Sequence, residues 1–320
     1  MSHDPRHLLE LACERAVRGE RLALCLVVKS RGSTPQSAGS LMLVDENAQL
    51  HGTVGGGCVE AEVRRSAHEL LHANCSALLR YTLDHDYGWD DGLICGGTIE
   101  IAVVPVPPAA ELRELLANID RREPAELAVN VDSIPEPRRF VYSILPRERL
   151  IIAGGGHVGQ AVARLALRLE FEVTLVDDRP ETLADSPPGA NTRCGDIARE
   201  LRALTIDEGT FALVVTRGHR HDEQALEALL GRGARYLGMI GSRRKSTLIF
   251  NDLRARGADD AELARVRTPV GLPIGAVSVE EIAIAIAAQL VEVRRSSRIA
   301  AVREITSGEP RGAAAAIATT

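Results

Sequence analysis

The sequence predicts an α/β fold in two parts: an N-terminal α+β domain, then a domain built on a doubly wound parallel sheet. Three observations carry this expectation. From residue 149 onward, apolar runs of strand length alternate with helical patterns, the order that folds as a parallel sheet with helices on both faces. The first of those runs, 150–153, ends in Gly154-Gly155-Gly156-His157-Val158-Gly159, in which Gly154, Gly156 and Gly159 fit G-x-G-x-x-G. Ahead of residue 149, short apolar strands are separated by stretches rich in Gly, Ser and Pro, with few helices between them.

The N-terminal elements follow in order. Residues 7–17 form an amphipathic helix with Leu8, Leu11, Ala12 and Ala16 on one face, stopped by Gly19. A strongly apolar strand spans 22–28, and the loop from Lys29 to Ser40 is dense in Gly, Ser and Thr. Lys29, Arg31 and Ser33 in that loop either hold an anionic group or form a solvated turn, and both readings stay open. Runs 41–44 and 50–54 make a hairpin around Asp45-Glu46-Asn47. The second run leads into Gly55-Gly56-Gly57-Cys58-Val59-Glu60, with a helix over about 60–71. A strand at 78–83 precedes a polar loop, 84–92, that carries the only tryptophan, Trp89. Then come Leu93-Ile94-Cys95-Gly96-Gly97, a strand over 98–104, a helix over 110–119 and strands at 127–131 and 140–144. Pro135, Pro137 and Pro146 mark 132–148 as the expected linker between a domain at 1–131 and one at 149–296. The polar, Ala/Gly-rich segment 297–320 is expected to be a disordered tail.

In the second domain each glycine of the fingerprint has its own physical reason. Gly154 permits the tight turn, Gly156 lets a pyrophosphate approach the backbone, and Gly159 lets helix and strand pack closely. The helix begun at His157 offers unpaired N–H groups and a positive dipole end to an anion. Run 173–176 leads into Asp177, placed to accept hydrogen bonds from a ribose. The pattern therefore implies a Rossmann-like nucleotide site. In such sheets the ligand lies beyond the carboxyl ends of the strands. The segments expected there are Asp177-Asp178-Arg179, Gly195-Asp196, 216–222 and 241–245. Ser278 and Glu281 form a capping box that starts the last helix.

Composition narrows the function classes. With 320 residues, 45% hydrophobic and 3% aromatic, the chain suits two domains whose cores are Ala, Val, Leu and Ile. A net charge of −6 argues against nucleic-acid binding. The longest apolar run, 282–288, is too short to cross a membrane, and the first residues lack the apolar core of a signal peptide. Six cysteines without a repeating spacing suit neither a disulfide framework nor a zinc site, so the chain reads as a soluble cytoplasmic protein with reduced thiols.

Three constellations stand out. Cys58 follows three glycines and Cys95 precedes two; the pair reads either as accessible thiols beside an approachable backbone or as small buried residues in tight turns. Cys13, Cys25, Cys75 and Cys194 sit in apolar or helical surroundings and read as core or incidental residues. Ser242-Arg243-Arg244-Lys245 opens a helix, where cations oppose the macrodipole unless a bound phosphate reverses the sign; an anion site is the favoured reading. His219 and His221 alternate, so an extended segment would put both on one side, for metal ligation or proton transfer. The competing reading is local capping, with Asp222 as the helix N-cap.

Several stretches together resemble the XdhC/CoxI family of maturation proteins for molybdenum hydroxylases. They are Ser30 to Pro35, Gly55 to Glu60, Cys95-Gly96-Gly97, the fingerprint with Asp177-Asp178-Arg179, and Thr216 with His219, His221 and Asp222. Gly238 to Lys245, Pro269 to Gly275 and Glu280 to Ala283 complete the set. The matches run in family order over residues of about 25–295 and so touch both domains. The departures are Gly55 where Ser is more usual and Thr98 where Arg is expected.

The resemblance implies an XdhC/CoxI-type domain followed by the Rossmann-like one. It also implies a maturation factor that binds molybdenum cofactor, supports its sulfuration with a cysteine desulfurase, and delivers it to a molybdenum hydroxylase apoenzyme of the xanthine dehydrogenase type. Carried over residue by residue, Cys58 and Cys95, with Gly56, Gly57, Gly96 and Gly97, become candidates for holding the cofactor's molybdenum or a persulfide sulfur. Gly154, Gly156, His157, Gly159, Asp177, Ser242, Arg243, Arg244 and Lys245 become candidates for its phosphate or nucleotide end. The cofactor is molybdopterin or its dinucleotide form, and the ribose-type Asp177 favours the dinucleotide.

The fingerprint alone supports an alternative, an NAD(P)-dependent oxidoreductase acting on a small substrate with His219 or His221 as proton donor. A nucleotide-sensing scaffold for desulfurase and hydroxylase is a third reading. A homodimer is expected, because the N-terminal sheet has edges to cover.

Overall fold

A computed structural model describes residues 5–83, 96–296 and 301–305. The chain forms two compact units: Met1–Pro146 with Ile299–Thr320, and Arg147–Arg298.

The spine of the first unit is β1 (Leu22–Arg31). It pairs antiparallel with β2 (Leu41–Asp45) on one side and β5 (Thr98–Pro105) on the other. The edge strands β3 (Leu50–Gly52) and β4 (Ala77–Thr82) complete the order β3-β2-β1-β5-β4. This sheet is covered on both faces, which is why β1 reads as an unbroken apolar run. Leu22, Leu24, Leu26 and Val28 point to a core shared with α1 (Pro5–Val17) and α3 (Ala109–Asp120). Ala23, Cys25 and Val27 point the other way, onto α2 (Gly57–Ala73), whose Val59, Val63, Ala67 and Leu71 recur every four residues. Each such leucine or valine contributes about 1.5–3 kcal/mol by leaving water.

Two expectations are corrected here. The segment 132–148 is not a linker: it holds β7 (Arg138–Ile144), which forms a hairpin with β6 (Ala125–Val131). Pro135 and Pro137 punctuate the turn of that hairpin, and the units divide after Pro146. Nor is 297–320 a tail throughout, because β13 (Val302–Ile305) adds to β7 and gives a second sheet of order β13-β7-β6. Arg138 on β7 donates to both carboxylate oxygens of Glu304, at 2.6 and 2.7 Å.

The second unit alternates as expected. Its elements run β8 (Arg149–Ala153), α4 (His157–Arg168), β9 (Glu172–Asp177), α5 (Pro180–Ala184), β10 (Asn191–Cys194), α6 (Ile197–Ala203) and β11 (Thr210–Val214). The chain then continues as α7 (His219–Leu229), β12 (Tyr236–Met239), α8 (Arg243–Ala255), α9 (Asp260–Ala264) and α10 (Val279–Ser296). All strands are parallel, in the order β10-β9-β8-β11-β12. The chain moves outward from β8 to β10 and resumes on the other side at β11, so the switch point lies between β8 and β11. Ala283, Ile286 and Leu290 of α10 pack with Ala161, Val162 and Ala166 of α4. The capping box forms as expected: Glu281 accepts from the amide of Ser278 at 2.8 Å, and Ser278 accepts from that of Glu281 at 3.3 Å.

Candidate functional site

In the first unit three glycine-bearing segments meet. Strand β1 runs on through Arg31, so the loop expected from Lys29 begins only at Gly32. A Cβ on Gly32 would lie 3.1 Å from the Gly97 Cα, and one on Gly97 would clash with the carbonyl oxygens of Ser33 and Arg31. The two chains therefore pack backbone on backbone, with a bridge between Ser33 and Gly96. Pro35 lies over the Gly55 backbone, where an added Cβ would be 3.3 Å from its Cγ. Segments 32–35, 55–58 and 96–97 thus share one patch. The Gly96 amide donates to the Leu83 carbonyl oxygen at 2.8 Å, and the Leu83 amide donates to that of Gly97 at 2.8 Å. Cys95 and Trp89 lie outside the described residues.

Cys58 is placed differently from the expectation of a loop thiol. Helix α2 starts at Gly57, three residues before the expected Glu60, so Cys58 stands in its first turn, half-exposed. Gly56 and Gly57 have φ of +74° and +57°, two successive left-handed residues that only glycine adopts readily. Glu60 holds the turn, accepting from the Gly56 amide at 3.0 Å and from the Thr53 hydroxyl. A Cβ at Gly56 or Gly57 would meet nothing within 4 Å, so both face open space. Cys25 is the opposite case: burial pushes its thiol up to about 12, which keeps it protonated and inert. Cys194, read as incidental, is exposed at the end of β10, beside Asp177 in register.

In the second unit the fingerprint glycines divide by role. Gly154, at φ +111°, sits so close to Val215 that a Cβ would overlap the Val215 carbonyl, which joins the ends of β8 and β11 at the switch point. A Cβ on Gly159 would overlap the carbonyl oxygen of Gly154. Gly156, the N-cap of α4, would meet nothing within 4 Å, and His157 beside it is exposed. An open, side-chain-free helix start is what an anion needs.

Asp177 does not present a free carboxylate to a ribose. It is 1% exposed and accepts from the Gly155 amide at 2.8 Å, from the Arg179 amide at 3.0 Å, and from the Arg179 guanidinium at 2.9 and 3.0 Å. Burial alone would raise its pKa, but the guanidinium and the two amides hold it below the usual carboxylate range. Asp177 therefore fixes the glycine turn and orients Arg179. Its neighbour Asp178 is more open, accepting from Arg217 at 2.8 Å, with the His221 Nε2 at 3.9 Å.

The other sequence candidates separate. Residues 219–222 are helical, so His219 and His221 occupy different faces of the first turn of α7, not one side of an extended segment. The N-cap is Gly218, not Asp222. Asp222 is fully buried instead: one oxygen accepts from the Thr216 hydroxyl at 2.6 Å and its amide at 3.1 Å, and the other pairs with Lys245. Lys245 is thus committed to holding α8 against α7, leaving Arg243 and Arg244 as the exposed cations of that run. Ser242 caps α8, accepting from the Lys245 amide at 3.3 Å. Sequence reasoning misses the Asp222–Lys245 bond because the partners stand 23 residues apart with no periodic relation. The Asp177–Arg179 pair sits in plain view at i, i+2, but only the strand end turns both inward.

Comparison with known proteins follows the same division. A family model described as the XdhC Rossmann domain matches residues 150–290, and one described as the XdhC and CoxI family matches residues 16–82. Protein YqeB of Escherichia coli is 28% identical over 86% of this chain, which spans only 44% of YqeB. The molybdenum cofactor insertion chaperone PaoD of E. coli is 27% identical over 92% of this chain and 90% of its own length. A Bacillus subtilis protein described as a probable xanthine dehydrogenase component is 24% identical over 88% of this chain and 96% of its own length. A solved structure described as a xanthine dehydrogenase from Bacillus halodurans superposes with a TM-score of 0.79 at 24% identity, covering 92% of this chain and 97% of that one. That likeness shows the fold. No helix among the described residues is long and apolar enough to cross a membrane.

Proposed function

We propose, from the premise that this chain belongs to the XdhC and CoxI family, that it is a cytoplasmic maturation factor that carries molybdenum cofactor to a molybdenum hydroxylase of the xanthine dehydrogenase type. The observation that carries the reading is the meeting of segments 32–35, 55–58 and 96–97 around a half-exposed Cys58. A thiolate is a soft ligand suited to molybdenum, and the side-chain-free turn beside it gives a bulky ligand room. The similarity to PaoD along nearly the full length of both chains supports the same reading.

In this proposal the first unit supplies the thiols, Cys58 with Cys95, that engage the molybdenum or a sulfur delivered by a cysteine desulfurase. The second unit supplies an anion site at Gly156 and His157, with Arg179, Arg217, Arg243 and Arg244 as further cations for phosphate. Because Asp177 is bonded to Arg179, the second site suits a phosphate group better than a ribose diol, and plain molybdopterin fits at least as well as the dinucleotide. The edge strands β3 and β4 make the first unit the proposed contact in a homodimer.

The test is retention of cofactor. Purified protein mixed with molybdenum cofactor and passed over a desalting column should keep molybdenum in proportion to chain, measured by elemental analysis. Cys58→Ser should lose most of it with an unchanged melting temperature. Full retention in Cys58→Ser and in the double variant with Cys95→Ser would remove the thiols from the proposal. The oxidoreductase reading is separated in the same preparation: tight quenching of NADH or NADPH fluorescence with turnover would favour it.

A further inference from the structure

One turn of α7 separates His219 from Glu223, so both project from one face of the helix. Asp252 on α8 meets them there. One ligand atom from each of the three residues lies within 4.8 Å of the other two. His219 and Asp252 are exposed, and Glu223 is buried. Arg256 bonds one oxygen of Glu223, which orients that carboxylate, and the same guanidinium reaches Glu227 at 3.8 Å. No hydrogen bond or ion pair joins His219, Glu223 and Asp252 to one another among the described residues.

We infer that His219, Glu223 and Asp252 form a divalent-cation site. One imidazole nitrogen and two carboxylate oxygens are the donor set preferred by Mn2+ and also accepted by Zn2+. An ion with bonds of about 2.1 Å places adjacent ligands roughly 3.0 Å apart and opposite ones roughly 4.2 Å apart. The three ligand atoms, all within 4.8 Å of one another, reach that range by rotation of the two exposed side chains. Arg256 offsets Glu223, and Asp252 adds a further carboxylate to the cluster, which favours a cation. Water reaches the exposed side and completes the coordination shell. His219 and Glu223 stand in the first turns of the helix that follows β11, and Asp252 in the last turn of α8. It owes nothing to the cysteines of the first unit.

The experiment uses the full chain, stripped of metal with a chelator and titrated with Mn2+, with free Mn2+ followed by electron paramagnetic resonance. Saturable binding of one ion per chain is expected. His219→Ala and Asp252→Asn should each weaken it on the order of tenfold or more. Cys58→Ser should leave Mn2+ binding unchanged, because a thiol is a poor ligand for this ion. Both replaced side chains are exposed, and circular dichroism is the check that each variant folds; His219→Gln replaces His219→Ala should the latter not. Absence of saturable binding in the wild type, or equal affinity in wild type and both variants, overturns the inference. Failure of molybdenum retention in the previous experiment leaves it untouched.

Discussion

The two units use glycine for opposite purposes within a few residues of each other, and what a Cβ would meet tells them apart. Gly97 in the first unit and Gly159 in the second are glycines because another backbone occupies the space of a side chain. Gly56, Gly57 and Gly156 face open space. The units differ in how the open turn is held. In the first, Glu60 holds it from the surface of α2, through Thr53 and the Gly56 amide. In the second, the buried carboxylate Asp177 holds it from beneath through the Gly155 amide, and buried Asp222 holds the neighbouring turn at Thr216 in the same way. The lesson is that one motif letter carries three physical meanings: close packing at Gly97 and Gly159, a left-handed backbone at Gly56 and Gly57, and access at Gly156.

The strongest way to break that comparison is to fill the packed glycines. Gly159→Ala and Gly97→Ala should each cost about 3 kcal/mol or more, since rigid backbone must move aside. Urea unfolding of each variant measures this, and a loss below about 1 kcal/mol at either site would mean that the close approach is not what positions the loops.

Next in size are the two kinds of anchor. Asp222→Ala strands a buried Thr216 amide and leaves Lys245 without its partner, for an expected loss of about 2–3 kcal/mol. Glu60→Ala removes a partly exposed acceptor and should cost about 1 kcal/mol. Equal losses would erase the distinction between anchoring from beneath and from the surface.

Acid titration sharpens the same contrast. Asp177 in the second unit and Asp45 in the first both have pKa values held below the usual range. At Asp45 burial pushes upward and is outweighed by the Gln49 amide, Arg15 and the Asn47 amide. A carboxyl whose folded pKa lies under its unfolded value of about 3.9 stabilises the fold above that pH, and the contribution is lost as pH falls through the folded value. Stability should therefore drop below about pH 4, and Asp177→Asn or Asp45→Asn should flatten that drop. Denaturant midpoints between pH 2 and 5 report the slope, and an unchanged slope in both variants would show that other acids govern it.

Gly156→Ala should have the smallest effect on stability, within about 1 kcal/mol in either direction, because its φ of −68° suits alanine and no atom stands in the way. Its effect belongs to binding. Affinity for a phosphate-bearing ligand should fall, as read by calorimetry, while the urea midpoint stays in place.

Much of the fold is legible from residue order. The alternation after residue 149, the glycine turn of the fingerprint, the apolar strand at 22–28 and the Ser278–Glu281 box follow from local periodicity and capping, and all appear as expected. Prolines mislead at 132–148, because a hairpin turn and a domain linker share the same punctuation. The expected start of α2 falls too late because Gly56 and Gly57 read as loop, whereas α2 begins within them. Placing His219 and His221 on one side assumes an extended segment; the helix starts at His219 and parts them.

Local pattern alone therefore determined where strands, helices and tight turns fall, since those depend on neighbours a few residues apart. Tertiary structure decided what each charged group is free to do. It bound Lys245 to Asp222, brought Asp252 to His219 and Glu223, and returned residues 302–305 to a sheet begun 177 residues earlier in the chain, at Ala125. Such pairings depend on which strand ends and helix faces adjoin. That is set by the order of strands in the sheet, which no short window of sequence contains.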